Sequence, residues 1–336
     1  MQTNRTAAGR CWLSAKCFSG TNRRCRGLLF FAILSLLPFP GLSDSPVILL
    51  LQSGAAPVYQ KVTSTIASDL ESICSECQAY QIKQLSLDDA QVDSLLRSDD
   101  SGLKLIVSLG VKAAQRIATS ATSSAKLYTL IPKSLADSLI TDTTMKRASA
   151  VYLDQPFTRQ LNLINLIKSD QHVLGILLGP ATVSSRSLLE STAETLGIPT
   201  LTETATKKDD VGLALNRLLN GSNIILALPD PLIYNRNTIF NILLSSYHNQ
   251  IPVIGFSASY VKAGAMLAVH STPSDIGMHI AENIRHFVIN GGADLPEPAF
   301  PRYFSIEVNR NVAHSLDINL PASTELKQLL DRLERP

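Results

Sequence analysis

The stretch PVILLLQSGAAPVYQ at residues 46–60 contains the structural unit from which most of the chain is built. Pro46–Leu51 is apolar throughout, which is typical of a parallel strand that is buried on both faces of its sheet. Gln52–Pro57 forms a turn of small and polar residues, and the apolar residues at positions 58, 62, 66, 70 and 73 recur close to the helical period. The stretch therefore predicts a buried strand, a tight turn and an amphipathic helix.

The same alternation of a short β-branched run and a helical segment continues to the C-terminus, about a dozen times in all. Alternation of this kind builds parallel sheets that carry helices on both faces. We predict strands at residues 46–51, 79–85, 103–108 and 126–131 in a first array and at residues 148–153, 172–178, 200–204, 223–228 and 251–256 in a second. Two further strands, at residues 265–270 and 304–308, form a shorter third array. The fold class is therefore α/β, with two Rossmann-like lobes.

The third array determines how the two lobes are connected. The simplest arrangement gives one strand–helix unit of this array to each lobe, which requires three crossovers and creates a hinge. We therefore expect residues 46–147 and 265–292 in lobe 1, and residues 148–264 and 300–336 in lobe 2.

The N-terminal segment has the layout of a secretory signal. Residues 1–27 contain six basic and no acidic side chains, and the apolar run Leu28–Leu37 follows, with Pro38 and Pro40 after it. This layout predicts residues 1–45 as a signal peptide and its exit, with cleavage near residues 42–45 and a periplasmic product. The apolar run is shorter than the roughly 20 residues that span a bilayer, and a retained membrane anchor is the alternative.

Removal of the leader changes the charge of the chain. Six of the 30 basic residues leave with it, so that 24 basic side chains face 28 acidic ones and the net charge becomes about −4. This balance excludes a basic surface of the kind that binds nucleic acid.

Cys74 and Cys77 are the two cysteines beyond the leader, and they form a C-x-x-C motif. Such a motif serves as a redox pair, as half of a zinc site or as a structural disulfide. No second Cys or His pair lies nearby, and the motif follows a predicted helix rather than starting one, where the helix dipole would lower the pKa of a thiol. We expect a local disulfide or two unreactive thiols.

Polar and small residues follow five of the predicted strands. Ligands of open α/β sheets bind beyond the carboxyl ends of the strands, so these residues are the candidate ligand site. They are Ser53 and Gly54, Ser108 and Gly110, Asp154, Asp230 with Tyr234, and Ser257 with Tyr260. The carboxylates suit an ammonium or hydroxyl group, and the tyrosines suit an apolar or ring moiety. For each residue taken alone, helix capping or turn geometry is the alternative role.

The motifs of common enzyme classes are absent from the sequence. It contains no G-x-G-x-x-G, P-loop, G-x-S-x-G, H-E-x-x-H or EF-hand motif, and its six histidines are scattered. The sequence therefore predicts a ligand-binding protein without a metal or cofactor rather than an enzyme.

Several of the same segments resemble a known family. SLGVKAAQ at residues 108–115 is similar to the G-x-x-A-A-Q element of the ABC-transporter substrate-binding proteins with the type I periplasmic-binding fold, in the branch that includes aromatic amino acid binders. The resemblance extends from Pro46 to about Leu333 through LPD at 228–230, PVIGFS at 252–257, YVKAGA at 260–265, VNRNVA at 308–313 and LP at 320–321.

The resemblance implies two lobes, three hinge strands and a ligand held between the lobes, with pocket positions near Ser53, Ser108–Gly110, Asp230 and Ser257. Family members often carry a Thr-Asp-Pro element after the fourth strand, where this chain has LIPKS at residues 130–134, so the ligand stays open. We expect a monomer that delivers a small, amino-acid-like or other organic ligand to an ABC permease. A periplasmic sensor that docks on a membrane signalling receptor and an exported α/β hydrolase are the alternatives.

Overall fold

The computed structural model describes residues 45–97, 102–141, 147–167 and 172–334. All of the predicted leader except Ser45 lies outside these residues. No helix among the described residues has the length and apolar character needed to cross a membrane.

The first sheet has five parallel strands in the order β2-β1-β3-β4-β5. Its strands are β1 (Val47–Gln52), β2 (Gln81–Ser86), β3 (Leu103–Leu109), β4 (Ala125–Ile131) and β5 (Ala148–Tyr152). The helices between them are α1 (Pro57–Ile73), α2 (Gln91–Arg97), α3 (Val111–Ala118) and α4 (Lys133–Leu139). Apolar side chains are buried on both faces of this sheet, as the all-apolar strand β1 predicts.

The second sheet has six strands in the order β11-β10-β9-β8-β6-β7, and β11 pairs antiparallel with β10. Its strands are β6 (Leu174–Leu178), β7 (Thr200–Thr204), β8 (Ile224–Leu226), β9 (Val253–Gly255), β10 (Leu267–His270) and β11 (Ser305–Val308). The remaining helices are α5 (Phe157–Ile167), α6 (Arg186–Thr195), α7 (Asp210–Gly221), α8 (Ile239–His248), α9 (Ala258–Ala263), α10 (Pro273–Ile289), α11 (Arg310–Ser315) and α12 (Ser323–Leu333).

The helices follow from local sequence signals. The face of α1 that was predicted to be apolar is buried at Val62, Ile66 and Leu70, whereas Val58 and Ile73, at its two ends, are exposed. Helix α10 begins with a capping box, in which the Thr272 hydroxyl accepts a hydrogen bond from the amide of Asp275 and the Asp275 carboxylate accepts one from the amide of Thr272.

Two strands belong to the other sheet than expected. Ala148–Tyr152 was expected to start lobe 2, but it pairs with β4 as the edge strand of the first sheet. Leu267–His270 was expected in lobe 1, but it pairs with β9 and β11 in the second sheet. Strand–helix alternation predicts that a strand forms, but it does not predict at which edge of which sheet the strand is added.

The chain therefore crosses between the sheets at three places, as predicted, but not at the predicted residues. We define lobe 1 as the first sheet with α1–α4 and α10, because α10 packs on α1 so closely that a Cβ at Gly277 would lie 2.8 Å from the Thr65 Cβ. Lobe 2 is the second sheet with the other helices. The crossovers are residues 153–156, 271–272 and 300–304. Two α/β lobes joined by three crossovers confirm the predicted fold class.

Cys74 and Cys77 are joined by a disulfide, with their Cα atoms 5.3 Å apart. Cys74 is the C-cap of α1, and both residues are buried in the core between the first sheet and α10. The bond closes a local turn at the end of α1.

Candidate functional site

Each lobe has one position where neighbouring strands lead into loops on opposite sides of the sheet. Numbered within its own lobe, the first sheet has the strand order 2-1-3-4-5 and the second has 2-1-3-4-5-6, so the switch point of each lies between its first and third strands. The switch point of lobe 1 lies between β1 and β3, and that of lobe 2 lies between β6 and β8. Five of the candidate residues lie on the loops that follow these four strands: Ser53, Gly54, Gly110, Asp230 and Tyr234.

The lobe 1 switch point is built from Ser53, Gly110 and Tyr59. The Ser53 Oγ accepts a hydrogen bond of 2.9 Å from the backbone amide of Ala113, in the first turn of α3. Gly110 has a φ of +95°, and a Cβ at this position would lie 2.8 Å from the Ser53 Oγ and 2.5 Å from the Tyr59 hydroxyl oxygen. Gly110 thus lets the two hydroxyl groups approach the start of α3 closely.

This switch point offers hydroxyl groups and open space. The Ser53 hydroxyl, which already accepts one hydrogen bond, still has its own proton to donate. A Cβ at Gly54 would meet no atom within 4 Å, so the turn after β1 borders open space. Ser108, in contrast, is fully buried, and its Oγ has no hydrogen-bond partner among the described residues. Ser108 therefore does not line the open surface of the loop.

Tyr59 was not among the predicted site residues. It lies in the first turn of α1, directly after the switch-point loop, and packs against the core beneath it. An aromatic residue in the first turn of the helix that follows β1 is the sequence signal that could have identified it.

Asp154, two residues after the end of β5, caps the start of α4. Its Oδ2 accepts a hydrogen bond of 2.5 Å from the amide of Lys133, the first residue of α4, which has no cap from its own N-cap residue Pro132. Burial raises the pKa of Asp154, and the hydrogen bond from Lys133 partly opposes that rise. The contact is the capping role that was the alternative for this residue.

The lobe 2 switch point is filled by Asp230. One carboxylate oxygen accepts hydrogen bonds from the Ala181 amide at 3.0 Å and the Thr182 hydroxyl at 3.1 Å, and the other accepts one from the Leu232 amide at 2.9 Å. The side chain is only 2 % exposed. A Cβ at Gly179 would lie 2.5 Å from the carboxylate, so the loop after β6 closes tightly over it.

Three aromatic rings pack together at the ends of β8 and β9. Tyr234 is buried and meets Phe256 and Tyr260 edge-on, with ring centroids 6.2 and 6.3 Å apart. The Tyr260 hydroxyl donates a hydrogen bond of 2.6 Å to the carbonyl of Tyr234, whose own hydroxyl has no partner among the described residues. Burial raises the pKa of both tyrosines. Phe256 and Tyr260 remain partly exposed, as does Ser257, whose Oγ lies 2.8 Å from that of Ser259.

The described part of the chain contains no cluster of three or more His, Cys, Asp and Glu side chains able to hold a metal ion. The exposed groups near the switch points are the hydroxyls beside Gly110 in lobe 1 and the aromatic rings that follow β9 in lobe 2.

Comparison with solved structures identifies the fold. An open, ligand-free substrate-binding protein with adhesive properties from Clostridium difficile is similar to 82 % of this chain and 96 % of its own, with a TM-score of 0.67 and 17 % identity. An ABC domain from Streptococcus pneumonia in complex with L-Trp matches 84 % of this chain and 98 % of its own, with a TM-score of 0.56 and 16 % identity. A conserved domain protein from Vibrio cholerae matches 86 % and 98 %, with a TM-score of 0.55 and 18 % identity.

Comparison with sequence families gives the relationship. No curated protein sequence matches the chain. The family profile described as "ABC transporter substrate binding protein" matches residues 66–326, which is well over half of the chain. The chain therefore belongs to the ABC transporter substrate-binding protein family and has the type I periplasmic-binding fold.

Proposed function

We propose that this protein is exported and captures a small organic ligand between its two lobes for delivery to an ABC permease. The observation that carries the proposal is the pair of switch points, one on each of two lobes that are joined by three crossovers. Membership of the substrate-binding family supports it, because that family binds small molecules and serves ABC transporters.

The exposed groups at the lobe 1 switch point and at the end of β9, next to the lobe 2 switch point, suggest the chemistry of the ligand. Lobe 1 offers the hydroxyls of Ser53 and Tyr59 beside Gly110, and lobe 2 offers the partly exposed rings of Phe256 and Tyr260. A small molecule with polar groups at one end and an apolar or ring portion at the other matches this pair of surfaces. An amino-acid-like compound is one such molecule.

In this proposal, ligand binding favours a closed arrangement of the two lobes. A ligand that contacts both lobes stabilises the conformation in which the lobes are close together, and it shifts the population only by its differential affinity for that conformation. Domain closure around a ligand is one of the common conformational changes of two-lobed proteins. In this proposal, the permease recognises the closed form.

The test is a thermal-shift screen of the exported chain, followed by native mass spectrometry. The panel contains L-tryptophan, L-leucine, adenosine, D-ribose and myo-inositol. A ligand present at 100 times its Kd stabilises the folded chain by about 2.7 kcal/mol, which is a readily measured rise in Tm. Native mass spectrometry of the same sample would show the mass of one bound ligand. Absence of any shift across this panel and a wider set of metabolites would contradict the proposal.

Export is tested separately by the mass of the secreted product. Cleavage near residues 42–45 would give a chain that begins at the described part of the structure. An uncleaved chain in the membrane fraction would favour the retained anchor.

A further inference from the structure

A continuous hydrogen-bonded network joins the three crossovers. The Gln155 Nε2 in the first crossover donates to the Ser271 Oγ in the second at 2.9 Å. The Ser271 hydroxyl donates in turn to the carbonyl of Tyr303 in the third at 2.7 Å. The three connections are therefore linked to one another, and not only to the lobes that they join.

Arg159 completes this network from the first turn of α5. Its Nη1 donates to the Gln155 Oε1 at 2.7 Å and to the carbonyl of Pro301 at 2.9 Å, which links the first crossover to the third. Its guanidinium lies 4.0 Å from the centroid of the Phe304 ring. Arg159 is only 4 % exposed, so a charge in this position requires a partner.

The C-terminal helix supplies that partner. Glu334, directly after α12, accepts two hydrogen bonds of 2.6 Å from Nε and Nη2 of Arg159 in the bidentate geometry that fixes a guanidinium most firmly. Helix α12 is held in place by its own contacts. Leu326 and Leu330 are buried in the core of lobe 2, and the Lys327 ammonium lies 4.5 Å from the centroid of the same Phe304 ring that Arg159 contacts.

The network begins beside residues that contact lobe 1. In the first crossover, the Asp154 carboxylate binds the amide of Lys133 in lobe 1, whereas the next residue, Gln155, belongs to the network. In the third, Phe300 packs edge-on against Tyr152 of lobe 1 with ring centroids 5.1 Å apart, whereas the next residue, Pro301, binds Arg159. The change from one lobe to the other thus occurs within one peptide link in the first crossover. In the third, contacts to the two lobes overlap, because the Arg302 Nη1 donates to the Glu282 carboxylate of α10 at 2.8 Å and the Tyr303 hydroxyl donates to the same carboxylate.

Each crossover also contains or directly precedes a proline: Pro156, Pro273 and Pro301. Proline fixes its own φ and restricts the residue before it to extended conformations, so few backbone dihedrals remain that can bend. Stiff connections that are also hydrogen-bonded to one another restrict the ways in which the two lobes can move relative to each other.

We infer that Arg159, held by Glu334, is a positioning residue that fastens the three crossovers into one hinge and thereby sets how the two lobes face each other. The inference rests on the proposed function in that the hinge brings the two switch points together around a ligand. It does not require that the ligand be known, because the orientation of the lobes is measurable in the ligand-free chain.

The experiment measures the distance between the lobes by double electron–electron resonance. Spin labels are placed on the exported chain at the exposed residues Ala67 of α1 and Glu194 of α6, through Ala67→Cys and Glu194→Cys. Glu334→Gln removes the charge that holds Arg159. The control is Glu203→Gln, which removes the carboxylate partner of the exposed Arg217 in lobe 2, away from the crossovers. Ser271→Ala, which removes the two hydrogen bonds of the Ser271 hydroxyl but leaves the Arg159–Glu334 pair intact, is the second variant should Glu334→Gln fail to fold.

We expect Glu334→Gln to widen the distribution of interlobe distances at least twofold, Ser271→Ala to widen it less, and the control to leave it unchanged. A Glu334→Gln distribution as narrow as that of the parent chain, even with a lowered Tm, would overturn the inference, as would equal widening in the control. Widening in a chain that binds none of the screened compounds would leave the hinge in place and refute the ligand proposal instead.

Discussion

The two switch points have the same topology and opposite chemistry. In lobe 1, hydroxyl groups gather around a glycine, and the turn after β1 borders open space. In lobe 2, a buried carboxylate occupies the equivalent position and binds two amides and a hydroxyl of its own loops. Strand order determines where a crevice forms, but the side chains determine whether the crevice is left open or filled.

The difference assigns unlike roles to residues that look alike in the sequence. Ser53 and Asp230 are both polar residues just after a strand, and both were candidate ligand contacts. Asp230 has its oxygen atoms engaged within its own lobe, whereas Ser53 retains a proton to donate. We therefore expect loss of Asp230 to affect stability and changes at the lobe 1 switch point to affect ligand binding.

The largest expected effect is that of Asp230→Ala. The substitution leaves the amides of Ala181 and Leu232 and the Thr182 hydroxyl without an acceptor in a buried loop, at a cost of about 3 kcal/mol of unfolding free energy. Urea unfolding measures it, and Asp209→Ala, at an exposed position of the same lobe, is the control with an expected change below about 0.5 kcal/mol. A stable Asp230→Ala chain that fails to bind ligand would show that the carboxylate contacts the ligand after all.

Gly110→Ala should cost about 1–2 kcal/mol, because alanine is strained at a φ of +95° and its Cβ would displace the Tyr59 hydroxyl. Ligand affinity should fall as well, since Tyr59 would move. The control is Gly212→Ala within α7, where a Cβ meets no atom within 4 Å and alanine favours the helix, so that stability should rise by about 0.5–1 kcal/mol. Changes of the same sign in both variants would contradict the strain at Gly110.

Ser53→Ala should cost about 1 kcal/mol, because the Ala113 amide loses the hydroxyl that caps α3. Ser64→Ala, in which the lost hydroxyl bonds only to Lys61 of its own helix, serves as the comparison and should change stability less. Thermal unfolding of both variants measures the difference. Equal Tm values for the two variants would mean that the hydrogen bond between Ser53 and the Ala113 amide adds no stability to the folded chain.

The smallest effect concerns pH. Burial raises the pKa of Asp154 above its value in the unfolded chain, so the folded chain binds that proton more tightly. This contribution to stability is present at a pH below the unfolded value and is lost as the pH rises through the folded value. Asp154→Asn cannot ionise, and the Tm difference between variant and parent chain should become more positive from pH 4 to pH 7. A Tm difference that stays constant from pH 4 to pH 7 would show that the pKa of Asp154 is not raised in the folded chain.

Sequence patterns predicted the strands and helices, but they did not predict into which sheet each strand is built. The apolar run at residues 46–51 predicted β1, and the apolar residues at positions 58, 62, 66, 70 and 73 predicted α1. The predicted sheet membership of β5 and β10 was wrong, because pairing between strands that are distant along the chain leaves no signal in the local sequence. Tyr59 does have a local signal, its place in the first turn of the helix after β1, but its contact with Gly110, 51 positions away along the chain, has none.

The hydrogen-bonded network of the crossovers could not be predicted from local sequence either. Gln155, Ser271 and Tyr303 are separated by more than a hundred residues at one step and by about thirty at the next, and nothing in their local sequence joins them. The sequence contains Pro156, Pro273 and Pro301 in X-Pro dipeptides, which favour extended backbone, but nothing in it marks them as crossover residues.

Amide hydrogen exchange tests the central claim, that one ligand contacts both lobes, most directly. The chain would be compared with and without the compound that raises its Tm the most. We predict slower exchange in two separated segments, the loop and helix starts around residues 53–59 and 110–113 in lobe 1 and the segment 256–260 in lobe 2. Protection confined to a single lobe, or to a surface away from these segments, would contradict capture between the lobes.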